Sequence, residues 1–168
     1  MQIRLKNFSF RFAEQVLNSR LSLKQEIDSV LTDPTLKDSD LTRPGFNSAL
    51  DKLFVKKGWE RQPHVFEDIG DPGAKLDFLK DRIGVEVEFG HASFIGIDLL
   101  KFQVASYSAL NRIDLGVYIT TTKSFQKAAE KQFGHKWEGS LSFEKVQTYL
   151  PHFKSAIQVP IFVIGIDA

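Results

Sequence analysis

The chain has 168 residues, of which 42% are hydrophobic and 26% charged, and this is the length and composition of one globular domain with its own core. No run approaches the ~18–20 apolar residues that span a bilayer, and the opening MQIRLKNFSFRF lacks the apolar block of a signal peptide. The absence of cysteine excludes disulfides and thiolate metal sites and fits a cytoplasmic location. With a net charge of +1, any binding of nucleic acid has to come from how the charges are placed.

The first part of the chain is predicted to contain two helices. Residues 14–31 have helix-compatible spacing, and residues 33–45, which are polar and contain two prolines, are predicted to form a loop. Residues 46–57 carry apolar side chains at intervals of three and four, with Gly58 well placed to end a helix. Residues 63–73 have the composition of a loop.

The second part alternates between strands and helices. A strand pair is predicted over residues 75–90 and a helix over 97–112. Residues 115–121 and 160–166 are short, β-branched and apolar, which is typical of strands buried on both faces. Residues 140–153 are predicted to form another helix. This alternation predicts an α/β domain with a mixed central β-sheet flanked by helices.

The predicted strand pair concentrates acidic residues on one side. Both halves alternate apolar and polar residues around Asp81-Arg82, a possible two-residue turn. That turn would pair Lys80 with Ile83, Phe78 with Val85, Asp77 with Glu86, and Lys75 with Glu88. Because side chains alternate with period two, one face would be apolar and the other polar. The apolar face would contain Leu76, Phe78, Val85, Val87 and Phe89, and the polar face Lys75, Asp77, Glu86 and Glu88.

Two interpretations of the acidic face stay open on spacing alone. Opposed residues have Cβ atoms about 4.5–5.5 Å apart, so the carboxylates of Asp77 and Glu86 could bind one ion. Hard oxygen ligands suit Mg²⁺, which keeps several waters and accepts substrate phosphates. The alternative is the ordinary solvated face of an antiparallel hairpin.

The surrounding residues resemble restriction endonucleases of the BglII/BstYI type. The run 76–94, LDFLKDRIGVEVEFGHASF, followed by Asp98-Leu99, is similar to the active-site region of that family. Further similar pieces follow in the same order along the chain, namely Phe46-Asn47, Lys57-Gly58-Trp59, RIDLGV at 112–117 and VPIFVIGI at 159–166. The resemblance covers residues 43–168 and implies one nuclease domain over 1–168, with 1–42 as an N-terminal helix and loop.

The resemblance implies a fold, a chemistry and a set of partners. The family has the PD-(D/E)xK nuclease core, works as a homodimer, and uses Mg²⁺ to cut palindromic double-stranded DNA with a GATC centre. Asp77 and Glu86 would be the metal ligands, with Asn47 an auxiliary residue. Glu88 falls where the general motif has Lys and these relatives have Gln, so Glu88 could activate water or help to hold a metal.

The same resemblance nominates residues that contact DNA. His91 and Ser93 follow the acidic strand, where contacts to bases or backbone are expected. Gln132, His135 and Lys136 lie in a segment that falls on the DNA side of the family, and Gln and Lys can read base edges in the major groove. For each of them the alternative is an ordinary exposed residue.

The favoured hypothesis is a type II restriction endonuclease, with a methyltransferase that protects the same site in its host. Helix 97–112 has enough apolar positions to serve as the interface of the homodimer. The chain is shorter than its relatives between Trp59 and Leu76, which predicts GATC with relaxed flanking preference. The alternatives are a catalytically silent DNA-binding or dimerisation module, and a repair-type nuclease with the same core.

Overall fold

The computed structural model describes residues 1–65, 75–108 and 110–168. The strands are β1 (Arg4–Phe10), β2 (Glu60–Arg61), β3 (Phe78–Lys80), β4 (Ile83–Val87), β5 (Leu115–Thr121) and β6 (Ile161–Asp167). The helices are α1 (Ala13–Asn18), α2 (Leu21–Leu31), α3 (Arg43–Lys56), α4 (Ile95–Tyr107), α5 (Lys123–Phe133) and α6 (Phe143–Tyr149). Short 3₁₀ turns occupy Asp38–Asp40, Ala92–Phe94 and Leu150–Phe153. None of the helices in these described ranges is long and apolar enough to cross a membrane.

One mixed sheet of six strands, in the order β1-β6-β5-β4-β3-β2, organises the domain. The central strands β4, β5 and β6 are parallel, and the pairs β1–β6, β3–β4 and β2–β3 are antiparallel. Every residue of β5 and β6 is buried, which confirms the prediction that these apolar runs are covered on both faces. Gly116 allows the ring of Phe102 to pack against the sheet, because a Cβ there would lie 2.7 Å from that ring.

Helices cover both faces of the sheet. Helices α1, α2, α3 and α5 pack on one face, where Phe46, Phe89 and Phe125 form a stack with ring centroids 5.1 and 5.9 Å apart. Helices α4 and α6 pack on the other face, in the cluster that contains Phe102 and Tyr118. The mixed α/β fold with helices on both faces of the sheet is therefore as predicted.

The N-terminal region differs from its prediction as a helix and loop. Residues 4–10 form strand β1, which pairs with β6 along its whole length. The segment predicted as one helix is two, α1 and α2, separated at Ser19-Arg20. The Arg20 guanidinium donates to the Asp81 carbonyl and to the Asp114 carboxylate. These hydrogen bonds connect the break between the helices to the turn of the hairpin.

The hairpin register is confirmed at its turn. Phe78 pairs with Val85 and Lys80 with Ile83. Asp81 and Arg82 have φ values of 45° and 65°, the left-handed pair that a two-residue type I′ turn requires. The Arg82 guanidinium is held by the Asp114 carboxylate at 2.7 Å.

The predicted register was wrong further from the turn. Strand β3 begins at Phe78, and the Asp77 carboxylate accepts a hydrogen bond from the Val87 N–H at 2.8 Å. Lys75 bridges to His64 rather than to Glu88, and Leu76 packs in the cluster on the opposite face from Phe78. Pairing of β3 with β2 on its other edge, where the Gln62 N–H donates to the Asp77 carbonyl, accompanies this departure from regular pairing.

Other predicted bounds shift by less than two turns. Helix α3 begins at Arg43, one turn earlier than predicted, because the Thr42 hydroxyl caps it by accepting from the Gly45 N–H. Helix α4 ends at Tyr107 rather than 112, and the predicted helix 140–153 is α6 followed by a 3₁₀ turn. Most of the predicted loop 63–73 lies outside the described residues.

Candidate active site

The acidic residues of the hairpin lie at the carboxyl end of β4. Glu86 is in the middle of the sheet, next to Tyr118 of β5, and only 3% of its surface is exposed. Glu88 follows the strand and is half-buried, and its Oε1 accepts a hydrogen bond from the Gly90 N–H. Asp77 immediately precedes β3, and its carboxylate accepts a hydrogen bond from the Val87 N–H. The fold thus brings all three predicted acidic residues to one region of the hairpin.

Helix α4 adds a cation that the sequence analysis missed. The Lys101 ammonium lies 2.8 Å from Glu86 Oε1 and 3.1 Å from Asp98 Oδ1. The second oxygen of Asp98 accepts a hydrogen bond from the Tyr118 hydroxyl at 2.9 Å. Asp98 and Lys101 are three residues apart on a helix, a spacing that brings side chains together and is visible in the sequence. Their contact with Glu86 depends on how α4 packs over the sheet.

Burial disfavours the negative charges of this cluster. Desolvation, together with the nearby carboxylate of Asp77, raises the pKa of Glu86 well above its ordinary value, although Lys101 opposes the rise. Desolvation also raises the pKa of Asp77, and the hydrogen bond from Val87 opposes this. Burial raises the pKa of Glu88 to about 7. Burial opposes the charge of Lys101, but Glu86 and Asp98 outweigh it and raise the pKa of Lys101.

A cavity of about 320 Å³ opens beside Asp77. It lies between α3 and the hairpin, and its lining includes Asn47, Asp51 and Arg61. Asn47 is exposed on α3 and lines the same cavity as Asp77. The structure therefore brings the predicted auxiliary residue to the acidic region.

The chemistry of the donor set fits a hard divalent cation. Asp77, Glu86 and Glu88 offer carboxylate oxygens, the ligands that Mg²⁺ prefers, and Glu86 is a buried carboxylate whose charge needs a cation beside it. No three Asp, Glu or His side chains are arranged as a ready ligand set in the parts of the chain that the structure describes. Glu86 is instead engaged with Lys101, and Asp77 with a backbone N–H, each through one carboxylate oxygen.

Two of the predicted DNA-contacting residues, His91 and Ser93, lie on the turn after β4, and His91 also borders a second cavity. His91 is exposed and begins the 3₁₀ turn after β4, where its Nδ1 lies 3.0 Å from the Ser93 hydroxyl. His91 also lines a cavity of about 560 Å³ together with Lys123 and Lys145. Ser93 is exposed on the same turn. The position beyond β4 is as predicted, while a DNA contact stays a prediction.

The other three predicted DNA-contacting residues lie at the end of α5. Gln132 belongs to helix α5, and both it and Lys136 are exposed. His135 follows the left-handed Gly134, and its Nε2 lies 3.1 Å from the Asp38 carbonyl. This segment is anchored by Trp137, which is 2% exposed and packs edge-on against Phe89 and Phe125.

Among the solved structures that the fold resembles are two crystal structures of restriction endonuclease BglII. The first, a complex with a DNA 16-mer, has a TM-score of 0.78 and 20% identity, and the match covers 100% of this chain and 77% of that one. The second, free BglII, has a TM-score of 0.59 and 22% identity, with coverage of 98% and 79%. These likenesses show a shared fold. A search of curated proteins finds no match.

The family comparison matches almost the whole chain. The family model described as restriction endonuclease BglII/BglIII matches residues 5–166. The match includes strand β1 and helices α1 and α2, which lie before residues 43–168, the range of the resemblance seen in the sequence. It ends within β6, the last strand of the sheet. The chain therefore belongs to the BglII/BglIII family of restriction endonucleases, which are type II site-specific deoxyribonucleases.

Proposed function

We propose that this protein uses Mg²⁺ to hydrolyse double-stranded DNA at a short palindrome centred on GATC, leaving 5′-phosphates, and that its nuclease core is of the PD-(D/E)xK type. The observation that carries the proposal is the placement of three carboxylates, those of Asp77, Glu86 and Glu88, at one end of the hairpin. Glu86 is almost fully buried there, beside a cation from α4. A solvated hairpin face would expose its acids, so the burial of Glu86 supports the catalytic interpretation.

The residues divide the chemistry among them. Asp77 and Glu86 would hold the metal, and Asn47 would act as an auxiliary from α3. When bound, Mg²⁺ offsets charge on the scissile phosphate and lowers the pKa of water. Glu88 would either accept a proton from water or help to hold the metal, and burial raises the pKa of its carboxyl group.

Helix α4 provides the surface of the proposed homodimer. Ile97, Leu100 and Tyr107 are 58%, 50% and 62% exposed, and they lie on the side of the helix away from Phe102. A two-fold dimer presents the same surface to each half of a palindrome. The dimer would remove these apolar side chains from water.

Base and phosphate contacts are assigned to His91 and Ser93 after β4 and to Gln132, His135 and Lys136 near the end of α5. His91, Ser93, Gln132 and Lys136 are exposed, and His135 is half-buried. In the cell the enzyme would act in the cytoplasm, with a methyltransferase that protects the same site. That methyltransferase is a functional partner and not a physical one.

The test is cleavage of unmethylated DNA by the purified protein with Mg²⁺, with Ca²⁺ and with chelator. Cutting is expected with Mg²⁺ and lost with chelator, while Ca²⁺ supports binding better than cutting because its larger shell positions water poorly. The matched variant is Asp77→Asn, which keeps an oxygen for the Val87 N–H but loses the charge, so its cleavage with Mg²⁺ should fall. Full cleavage in chelator would overturn the carboxylate-metal site.

A catalytically silent DNA-binding module of the same fold is the second candidate. The observation in its favour is that Glu86 is already paired with Lys101, at 2.8 Å, in a site where no three described ligands converge. DNA binding that is unchanged by Mg²⁺, with no cleavage under any metal, would favour this candidate.

A further inference from the structure

Lys101 lies deep in the acidic cluster, where a lysine is costly to place. Its side chain is 15% exposed, and those of its two partners, Glu86 and Asp98, are each 5% exposed. Taking an ammonium group and two carboxylates out of water is costly unless their mutual geometry is good. Both contacts are short, at 2.8 and 3.1 Å.

The position of Lys101 is itself held by a second layer of contacts. Asp98 is 4% exposed and receives the Tyr118 hydroxyl at 2.9 Å, so its carboxylate is fixed from the β5 side. Tyr118 is fully buried and pairs with Glu86 across the parallel strands. A closed set of contacts therefore runs from Glu86 to Lys101, to Asp98, to Tyr118, and back to the strand that carries Glu86.

We propose that Lys101 is a positioning residue that acts as the internal counter-cation of Glu86. In the absence of metal it holds the Glu86 carboxylate in place from helix α4 and balances the charge of the cluster. A divalent cation bound to Asp77 and Glu86 then competes with Lys101 for the same carboxylate, a consequence that rests on the proposed function. The cation beside Glu86 therefore comes from α4, whereas Glu88, just after strand β4, stands where the motif of the proposed nuclease core has a lysine.

Removing the charge of Lys101 should have two opposite effects. Without metal, Glu86 and Asp98 lose their cation, so the thermal midpoint of unfolding should fall. With metal, a competing charge a few ångströms away is gone, so Mg²⁺ should bind roughly tenfold more tightly. A lysine that only fills space would lower the midpoint equally with and without Mg²⁺ and leave the affinity unchanged.

The experiment compares wild type with Lys101→Met, Lys101→Arg and the control Lys80→Met, without DNA. Lys80 is a suitable control because it forms an ion pair of the same length, 2.8 Å to Glu26, on the opposite face of the sheet. Binding of Mg²⁺ is measured by calorimetry, and the unfolding midpoint is measured in chelator and at saturating Mg²⁺. We expect tighter Mg²⁺ binding and a larger Mg²⁺-induced rise of the midpoint for Lys101→Met alone, and values near wild type for Lys101→Arg.

A double-mutant cycle in chelator tests the ion pair without any metal. The variants are Glu86→Gln, Lys101→Met and the two combined. If Lys101 holds Glu86, Lys101→Met lowers the midpoint clearly less in the Glu86→Gln background than in wild type. Equal effects in the two backgrounds would overturn the proposal, as would unchanged Mg²⁺ affinity in Lys101→Met. If Lys101→Arg does not fold, the cycle and the methionine variant still decide.

Failure of the proposed function is separately visible. A wild-type protein that binds no Mg²⁺ would contradict the metal site and the competition, whereas the double-mutant cycle would still report whether Lys101 holds Glu86. A wild-type protein that binds Mg²⁺ and cuts DNA, with equal effects of Lys101→Met in the two backgrounds, would refute the role of Lys101 alone.

Discussion

Glu86 has the surroundings of a functional carboxylate. It is buried in the centre of a sheet, and its charged form is disfavoured by burial and by Asp77. Such a group destabilises the fold unless a cation accompanies it, and Lys101 supplies one. Carboxyl groups with strongly shifted pKa values occur most often at functional sites, because catalysis uses buried charges that otherwise only destabilise a fold.

The first residue-scale prediction concerns Asp77→Asn and Glu86→Gln. Each should lower Mg²⁺-dependent cleavage by at least about a hundredfold, because a metal ligand is lost. The unfolding midpoint in chelator should stay close to wild type or rise, since one member of a repelling group becomes neutral while its shape is kept. Nicking assays and circular-dichroism melts measure the two effects. Retained cutting by Glu86→Gln would return the acidic face to the solvated interpretation.

The second residue-scale prediction concerns pH. The folded-state pKa values of Glu86 and Glu88 are both raised above the ordinary 4.5, that of Glu88 to about 7, so above pH 4.5 the native protein binds more protons than the unfolded chain. The contribution of these two groups to stability in chelator should therefore be fully present below about pH 4.5 and should be lost as the pH rises through the raised pKa values.

The measurement is the unfolding midpoint in chelator from pH 5 to pH 9. We expect a fall of roughly 3–10 °C in wild type and a smaller one in Glu86→Gln, which cannot titrate at that position. Saturating Mg²⁺ should reduce the fall, since a bound cation favours the ionised carboxylates. A midpoint that rises over this range would contradict the raised pKa values.

At the scale of elements, helix α4 serves two surfaces. Its inner side carries Asp98 and Lys101 to the acidic cluster and packs Phe102 on the sheet. Its outer side exposes Ile97, Leu100 and Tyr107. One helix can therefore connect the proposed dimer interface to the catalytic region, because both depend on how α4 lies on the sheet.

The element-scale prediction is that Leu100→Glu weakens the homodimer. A buried charge would be introduced twice in an isologous interface, so dimerisation should weaken by about a hundredfold or more. Val55→Glu is the matched control, since Val55 is a similarly exposed apolar residue, at 46% against 50%, but lies on α3. Sedimentation velocity measures both variants. A wild-type protein that is monomeric alone and on DNA would contradict the dimer.

At the scale of the whole molecule, the residues that contact DNA would determine which sequence the proposed dimer recognises. Two groups of residues are proposed to contact that DNA, one in the turn after β4 and one at the end of α5. Each good bidentate contact to a base contributes about 1–3 kcal/mol of discrimination. Few such contacts predict a short site, and the short stretch between Trp59 and Leu76 leaves little material to read outer bases.

The whole-molecule prediction is cleavage at GATC with relaxed or absent flanking preference. The measurement is a digest of DNA grown with and without adenine methylation at GATC, followed by sequencing of the ends. Ends should cluster at GATC with 5′-phosphates. Ends clustered at sites that lack GATC would refute the specificity and leave the nuclease activity standing.

Local pattern in the sequence was sufficient for the central elements. The runs 115–121 and 160–166 are short, β-branched and mainly apolar, which predicts strands buried on both faces, and β5 and β6 lie there within one residue. The hairpin turn at Asp81-Arg82 was found from the alternation on either side. These features depend on neighbouring residues, because the order of apolar and polar side chains along a strand determines which of its faces can be buried.

Only the tertiary structure decided the features that depend on distant segments. Strand β1 has no clear alternation and forms because the edge of β6 is available to pair with it. Asp77 lies outside the regular pairing of β3 with β4, and its carboxylate accepts a hydrogen bond from the Val87 N–H of β4 instead.

The acidic cluster illustrates the same division. Its members Asp77, Glu86 and Glu88 were predicted from the hairpin, since the turn at Asp81-Arg82 brings the two strands that carry or flank them together. The contact between Lys101 and Glu86 was not, because it joins residues fifteen positions apart on different elements. The packing of α4 over β4 and β5 sets that contact, and no periodicity in the chain records how a helix lies on a sheet.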